Sequence, residues 1–246
     1  MSTMHRPVKD ILVIKPSSLG DILHVFPALE LLHQKYPGAK FDYIVNPAFA
    51  ELLDYAPCKI ERRIFFDRKR LGGVFTFLPE FWRLIQKIRR KKYDLVIDFQ
   101  GLFRSSILGF LARGDRKIGF EAPREKISKL FYTDTFKVPA GHALERNVAL
   151  VNALLEEHNQ VPQYILPPNQ KVKEHLIDKL KFDTSCVVAV IPGARWRSKR
   201  FSTTLFADVM RHITLANPQV HFVFVGVRSD QVYTKRILKK LAGGSP

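Results

Sequence analysis

The sequence predicts an α/β protein of two doubly wound, Rossmann-like domains, the second incomplete. Three observations carry this. Runs of β-branched and aliphatic residues alternate with segments of helical period, the pattern of parallel strands joined by crossover helices. The alternation pauses over 159–170, where Pro162, Pro167 and Pro168 mark a linker, and then restarts. The hydrophobic fraction, 46% of 246 residues, supports real cores but is nowhere gathered into the roughly 20 apolar residues of a membrane-spanning helix. The expected division is 1–165 and 166–246.

The elements follow in order. Asp10–Lys15 (DILVIK) reads as a strand buried on both faces. The turn-rich loop 16–21 leads into a helix over 22–36, with Ile22, Val25, Phe26, Leu29 and Leu32 on one stripe, stopped by Pro37-Gly38. Residues 41–45 form the next strand, 47–55 a short helix, 63–66 a strand, 75–92 a long helix and 95–98 (LVID) a strand. Gln100–Arg104 is a loop; 105–112 is a helix, 117–120 a strand and 143–157 a helix. After the linker come helix 171–180, strand 187–191 (VVAVI), a polar loop 192–200, helix 203–216, strand 221–225 (HFVFV) and helix 229–241. Two clear strands are too few for a complete second domain.

Composition narrows the function classes. Cys58 and Cys186 stand far apart without metal-ligand spacing, which excludes a disulfide scaffold or zinc module and fits a reducing compartment. The polar stretch 1–10 lacks the apolar core of a signal peptide. The net charge of +17 calls for an acidic partner: nucleic acid, an anionic membrane or a phosphorylated substrate. The charge is focused: window 59–92 holds 12 basic against 3 acidic residues, and 166–246 holds 14 against 5. No helix-turn-helix, zinc finger or aromatic RNP-like strand accompanies it, so nucleic acid is not the expected partner.

The first loop, Lys15-Pro-Ser-Ser-Leu-Gly-Asp21, follows a buried strand and opens a helix, the place where open parallel sheets bind ligands. Gly20 permits close backbone approach, and Ser17 and Ser18 offer hydroxyls. Asp21 either caps the helix or, held ionised at its N-terminus, serves as a base. A single glycine rules out a Walker or dinucleotide motif.

Five blocks then agree in order: 16–29 (PSSLGDILH, then FPAL), 98–114 (DFQGLFRSS, then LARG), 118–132 (IGF, APRE, FY), 142–147 (HALERN), and Pro192-Gly-Ala194 with 198–201 (SKRF). Together they resemble the bacterial ADP-heptose:lipopolysaccharide heptosyltransferases of glycosyltransferase family nine, in particular the heptosyltransferase I branch. The resemblance implies a GT-B fold and inverting transfer of heptose from ADP-heptose to an inner-core Kdo sugar, with no metal or other cofactor. The absence of an Asp-x-Asp motif agrees with the last point. On this resemblance Asp21 is the general base, Lys199 meets the donor phosphates, and Ala194 and Arg195 also bind the donor. Ser17, Ser18, Gly20, Gln100, Gly101 and Arg104 are implied to meet the acidic acceptor, Arg104 being suited to its carboxylate. Arg62, Arg63, Arg124 and Arg146 are further candidates for binding that acceptor, the alternative for each being surface charge. His24, one turn after Asp21, either touches the site or packs; Trp196 is a lid or packing residue.

The family continues well beyond a point like Pro246 and carries there an acidic–Ser/Thr–Gly–Pro–x–His donor loop. The resemblance therefore implies a C-terminally truncated member with an intact acceptor half. The alternative is a catalytically crippled member that only binds the acidic glycolipid or the membrane surface. Kdo-lipid A as acceptor implies a peripheral protein on the cytoplasmic face of the inner membrane. Helix 75–92 suits that setting: Phe77, Phe81, Leu84, Ile85 and Ile88 share one face, expected against the sheet, while Arg83, Lys87, Arg90 and Lys91 crowd the other, expected toward lipid phosphates.

Overall fold

The computed structural model describes residues 7–67, 72, 77–180, 186–194 and 197–243. The chain divides between Pro167 and Pro168 into two units.

In the first unit, six parallel strands lie in the order β3-β2-β1-β4-β5-β6. They are β1 (Asp10–Ile14), β2 (Lys40–Val45), β3 (Ile60–Phe65), β4 (Tyr93–Asp98), β5 (Gly114–Phe120) and β6 (Asp134–Phe136). The order reverses between β1 and β4, so the loops leaving these neighbours diverge and open a crevice at their carboxyl ends. The β1 side chains Ile11–Ile14 are fully buried because helices cover both faces. Ile11 and Val13 join the core beneath α2 (Phe26–Lys35) and α5 (Ala143–Leu155). Leu12 and Ile14 join the core beneath α3 (Phe77–Ile88) and α4 (Phe103–Leu111).

The continuous helix expected over 22–36 is two helices, α1 (Leu19–Leu23) and α2. Pro27 sits at the N-terminus of α2, where it has no amide to donate to the preceding turn, so the first helix cannot run on. The apolar stripe survives the break: Ile22, Val25, Phe26, Leu29 and Leu32 are all fully buried.

The segment 47–55 is a 3-10 helix, capped by Asn46 Oδ1, which accepts from Ala48 N at 2.9 Å. Among the described residues, the 3-10 turns Lys126–Phe131 and Arg197–Lys199 and the strand β6 lie beyond the expected set; β6, at three residues, is too short to show a period. Tyr164 of the linker packs edge-on against Phe26 and donates its hydroxyl to the Tyr55 carbonyl, holding the linker on the first unit.

The second unit contains α6 (Gln170–Leu180), a parallel pair β7 (Val187–Val190) and β8 (His221–Phe224), α7 (Thr203–Ala216) and α8 (Gln231–Ala242). Its small core is Val190, Ala207, Met210 and Ile237.

Candidate active site

The site begins where β1 ends. Lys15 is buried, and its Nζ donates to the Phe99 carbonyl at 2.8 Å, just past the end of β4. Burial lowers its pKa to about 8, against the pull of Asp21 and Asp98. The chain then turns through Ser17 and Ser18 into α1. Asp21 Oδ2 accepts from Ser18 N at 3.0 Å and Ser18 Oγ at 2.9 Å, so the carboxylate does cap the helix. The other oxygen remains for the crevice: Oδ1 lies 4.0 Å from Arg124 Nη2. Partial burial pushes the Asp21 carboxyl up, but the two Ser18 bonds and the charges of Lys15 and Arg124 outweigh it and hold the group below the usual carboxylate range.

The second wall is the end of β4. Asp98 is buried and gathers four donors: Gln100 N at 2.8 Å, Gly101 N at 3.3 Å, Ser105 Oγ at 2.9 Å and the Tyr132 hydroxyl at 2.7 Å. Burial raises the Asp98 pKa, and these hydrogen bonds oppose the rise. Gly101 takes a left-handed φ of +67°, which lets its carbonyl receive Glu125 N at 3.1 Å and brings the Arg124 segment alongside. Arg104 is not in the expected loop. Ser105 Oγ receives Leu102 N at 3.1 Å and starts α4 at Phe103, placing Arg104 in its first turn.

Lys15, Gln100, Arg124, Arg146 and Asn147 line a cavity of about 30 Å³ with Phe120 on its wall. Gln100 is buried, and its Oε1 has no hydrogen-bond partner among the described residues. Arg146 stacks on Phe120, 5.2 Å from the ring centroid, and reaches the Ala122 carbonyl at 3.4 Å. A neighbouring pocket joins Ser17, Gln100 and Arg104. The crevice therefore presents an ionised carboxylate beside three cationic side chains and an unsatisfied amide oxygen, a setting for an anionic, hydroxyl-rich ligand.

The structure brings together Asp21, Ser18, Gln100, Gly101, Arg124 and Arg146, with Ser17 and Arg104 next door. Gly20 lies within α1, and a Cβ there would meet nothing within 4 Å, so no close approach demands its being glycine. Arg62 and Arg63 are used elsewhere. Arg62 donates to Asp42 at 2.7 and 2.8 Å and to the Tyr93 hydroxyl at 2.8 Å, and Arg63 pairs with Asp54. His24 packs edge-to-face on His142, centroids 4.7 Å apart, and its carbonyl receives Asn147 Nδ2 at 2.9 Å. Burial and His142 lower the His24 pKa against the pull of Asp21.

In the second unit, the Ala194 carbonyl accepts Arg200 Nε at 2.6 Å, and Lys199 is exposed at the end of a 3-10 turn (Arg197–Lys199). Arg195 and Trp196 lie outside the described residues. Sequence reasoning missed Lys15 as a site residue. Its signal was a single charge ending an otherwise apolar strand.

A parallel sheet in 3-2-1-4-5-6 order, with a carboxylate and a basic pocket at its switch point, is a doubly wound, Rossmann-like α/β domain of the kind from which GT-B folds are built. The sequence profile of glycosyltransferase family 9 (heptosyltransferase) matches residues 81–246, and the chain belongs to that family. It is 34% identical over 142 residues to lipopolysaccharide heptosyltransferase 1 of Escherichia coli O18:K1:H7, covering 55% of this chain and 43% of the relative. The corresponding enzyme of Pseudomonas aeruginosa is 32% identical over 59% of this chain and 42% of its own. The chain thus spans less than half the length of these relatives in alignment. Among solved structures, the E. coli heptosyltransferase WaaC with ADP superposes with a TM-score of 0.74 at 27% identity, over 95% of this chain and 73% of that one.

Proposed function

We propose that this chain takes part in metal-independent, inverting transfer of heptose from ADP-heptose to the Kdo sugar of the lipopolysaccharide inner core. The observation that carries the reading is the Asp21 carboxylate held ionised beside the cavity of Lys15, Arg124 and Arg146. The three cations suit the carboxylate of an acidic sugar, with Arg124 and Arg146 offering planar guanidinium forks. So bound, the acceptor would present a hydroxyl to Asp21. As its oxygen bonds to the anomeric carbon of the donor, the bond from that carbon to the phosphate oxygen breaks, ADP departs and Asp21 takes the hydroxyl proton. On this reading Lys199 meets the donor phosphates, where its charge offsets that building on ADP, and Ala194 and Arg195 also contact the donor. The solved WaaC carries ADP, which supports an ADP-linked donor.

An acceptor embedded in lipid places the protein peripherally on the cytoplasmic face of the inner membrane. Among the described residues no helix is long and apolar enough to cross a membrane. A non-catalytic, glycolipid-binding role is not favoured, because the relatives are named as transferases. The test is direct. The full chain is mixed with ADP-heptose and a Kdo-terminated acceptor, with and without a chelator, and ADP release and product mass are followed. Transfer unaffected by chelation supports the reading; a chain that binds acceptor without releasing ADP overturns it.

A further inference from the structure

Helix α3 does not bury its apolar residues as an ideal stripe. Its C-terminal half does, through Leu84, Ile85 and Ile88, whereas at its N-terminal half Phe77, Leu78 and Trp82 are exposed, Leu78 at 74% and Trp82 at 64%. Phe77 and Phe81 stack at 5.5 Å and, with Phe66, Phe103 and Ile107, line an apolar groove of about 410 Å³ between α3 and α4, with Arg104 also on its wall. Phe131 extends the aromatic surface, 5.7 Å from Phe103 and 5.6 Å from Phe110. The same 3-10 turn exposes Ile127 at 51% and Leu130 at 78%. Monomeric soluble domains rarely leave so many neighbouring large apolar side chains in water.

We propose that this surface, formed by the start of α3, α4 and the turn Lys126–Phe131, docks onto an anionic phospholipid bilayer. Leu78, Trp82 and Leu130 enter the interfacial region, and the exposed basic residues Arg83, Lys87, Lys126 and Lys129 of the same elements meet headgroup phosphates. The occupant is identified by its chemistry. Large aromatic and aliphatic tips ringed by Lys and Arg match a lipid interface, which is apolar below and anionic above. A second copy is disfavoured because each copy carries +17. The groove shares Phe66, Arg104 and Leu108 with the pocket that contains Ser17 and Gln100, so docking would set the acceptor crevice beside the membrane. The inference rests on the reading of a lipid-linked acceptor and changes the surface responsible: aromatic tips lead, and the basic flank of α3 assists.

The experiment uses the tryptophans. In a Trp196→Phe background Trp82 is the remaining one. On vesicles of phosphatidylglycerol and phosphatidylcholine its emission should shift to the blue and be quenched by brominated acyl chains. Leu78→Glu with Leu130→Glu should weaken vesicle retention about a hundredfold or more, since each buried leucine contributes about tenfold. The same double variant should transfer to a water-soluble, deacylated acceptor at the rate of the parent chain, yet slow on a vesicle-embedded one. An unshifted Trp82 on vesicles that retain the protein, or equal retention of the double variant, overturns the proposal. So does a dimer, or a stable complex with another protein, that depends on these leucines and forms in place of vesicle binding. Absence of transfer to both acceptors with vesicle docking intact overturns the transferase reading instead.

Discussion

Lys15 Nζ donates to the Phe99 carbonyl oxygen at 2.8 Å and fastens the end of β1 to the end of β4 at the point where strand order reverses. A buried lysine with a pKa of about 8 gives this link a pH dependence. The cation is complete below that value and is lost above it. Acceptor KM should therefore rise as pH increases through 8, and Lys15→Met should raise KM while removing this limb. Initial rates at varied acceptor concentration on either side of pH 8 check it. Stability moves oppositely. Because burial lowers the folded-state pKa from 10.5, the cost of the buried charge is full below about 8 and is relieved as pH rises toward 10.5.

Asp21→Asn keeps an oxygen able to accept the Ser18 amide and hydroxyl, so the start of α1 should survive. Transfer should fall by about 10²–10⁴-fold, the usual contribution of a general base, with acceptor binding nearly unchanged. Single-turnover rates and calorimetric binding of the acceptor separate the two. Retained turnover would remove Asp21 from the role of base.

Tyr132→Phe deletes one of four donors to buried Asp98. A hydrogen bond to a charged group contributes about 1.5–3 kcal/mol, so the urea midpoint should drop accordingly at neutral pH. The sign with pH follows from Asp98. Its folded-state pKa is already raised by burial, and losing the tyrosine raises it further. The variant should approach the parent in stability as pH falls and this carboxyl is protonated.

Gly119→Ala tests the same contact from behind. A Cβ at 119 would lie 2.2 Å from the Tyr132 ring, so the ring must leave and its bond to Asp98 with it. The expected cost is about 1–3 kcal/mol. Combined with Tyr132→Phe, the losses should be less than additive, since both break one bond; thermal melts of the double variant check this.

Much of this protein can be read from residue order alone. Short-range patterning determines the strand-helix alternation, since a strand buried on both faces must be uniformly apolar, as Ile11–Ile14 are. The proline-rich linker and the Ser-Ser-Leu-Gly-Asp turn are likewise local. Local too was the evidence for the helix break at Pro27, which the continuous apolar stripe concealed: a periodicity of side chains says nothing about a missing backbone amide.

The tertiary structure alone decided which residues meet. Lys15, Gln100, Arg124 and Arg146 converge on one cavity because β1 pairs with β4 across the 78 residues of chain between Ile14 and Tyr93, and no local propensity encodes that crossover. It decided equally against Arg62 and Arg63, whose charge in the sequence looks like any other until Asp42 and Asp54 are found beside them. And it left Leu78 and Trp82 in water while Leu84, Ile85 and Ile88 of the same helix are buried in the sheet's core, a division that the helical period does not predict.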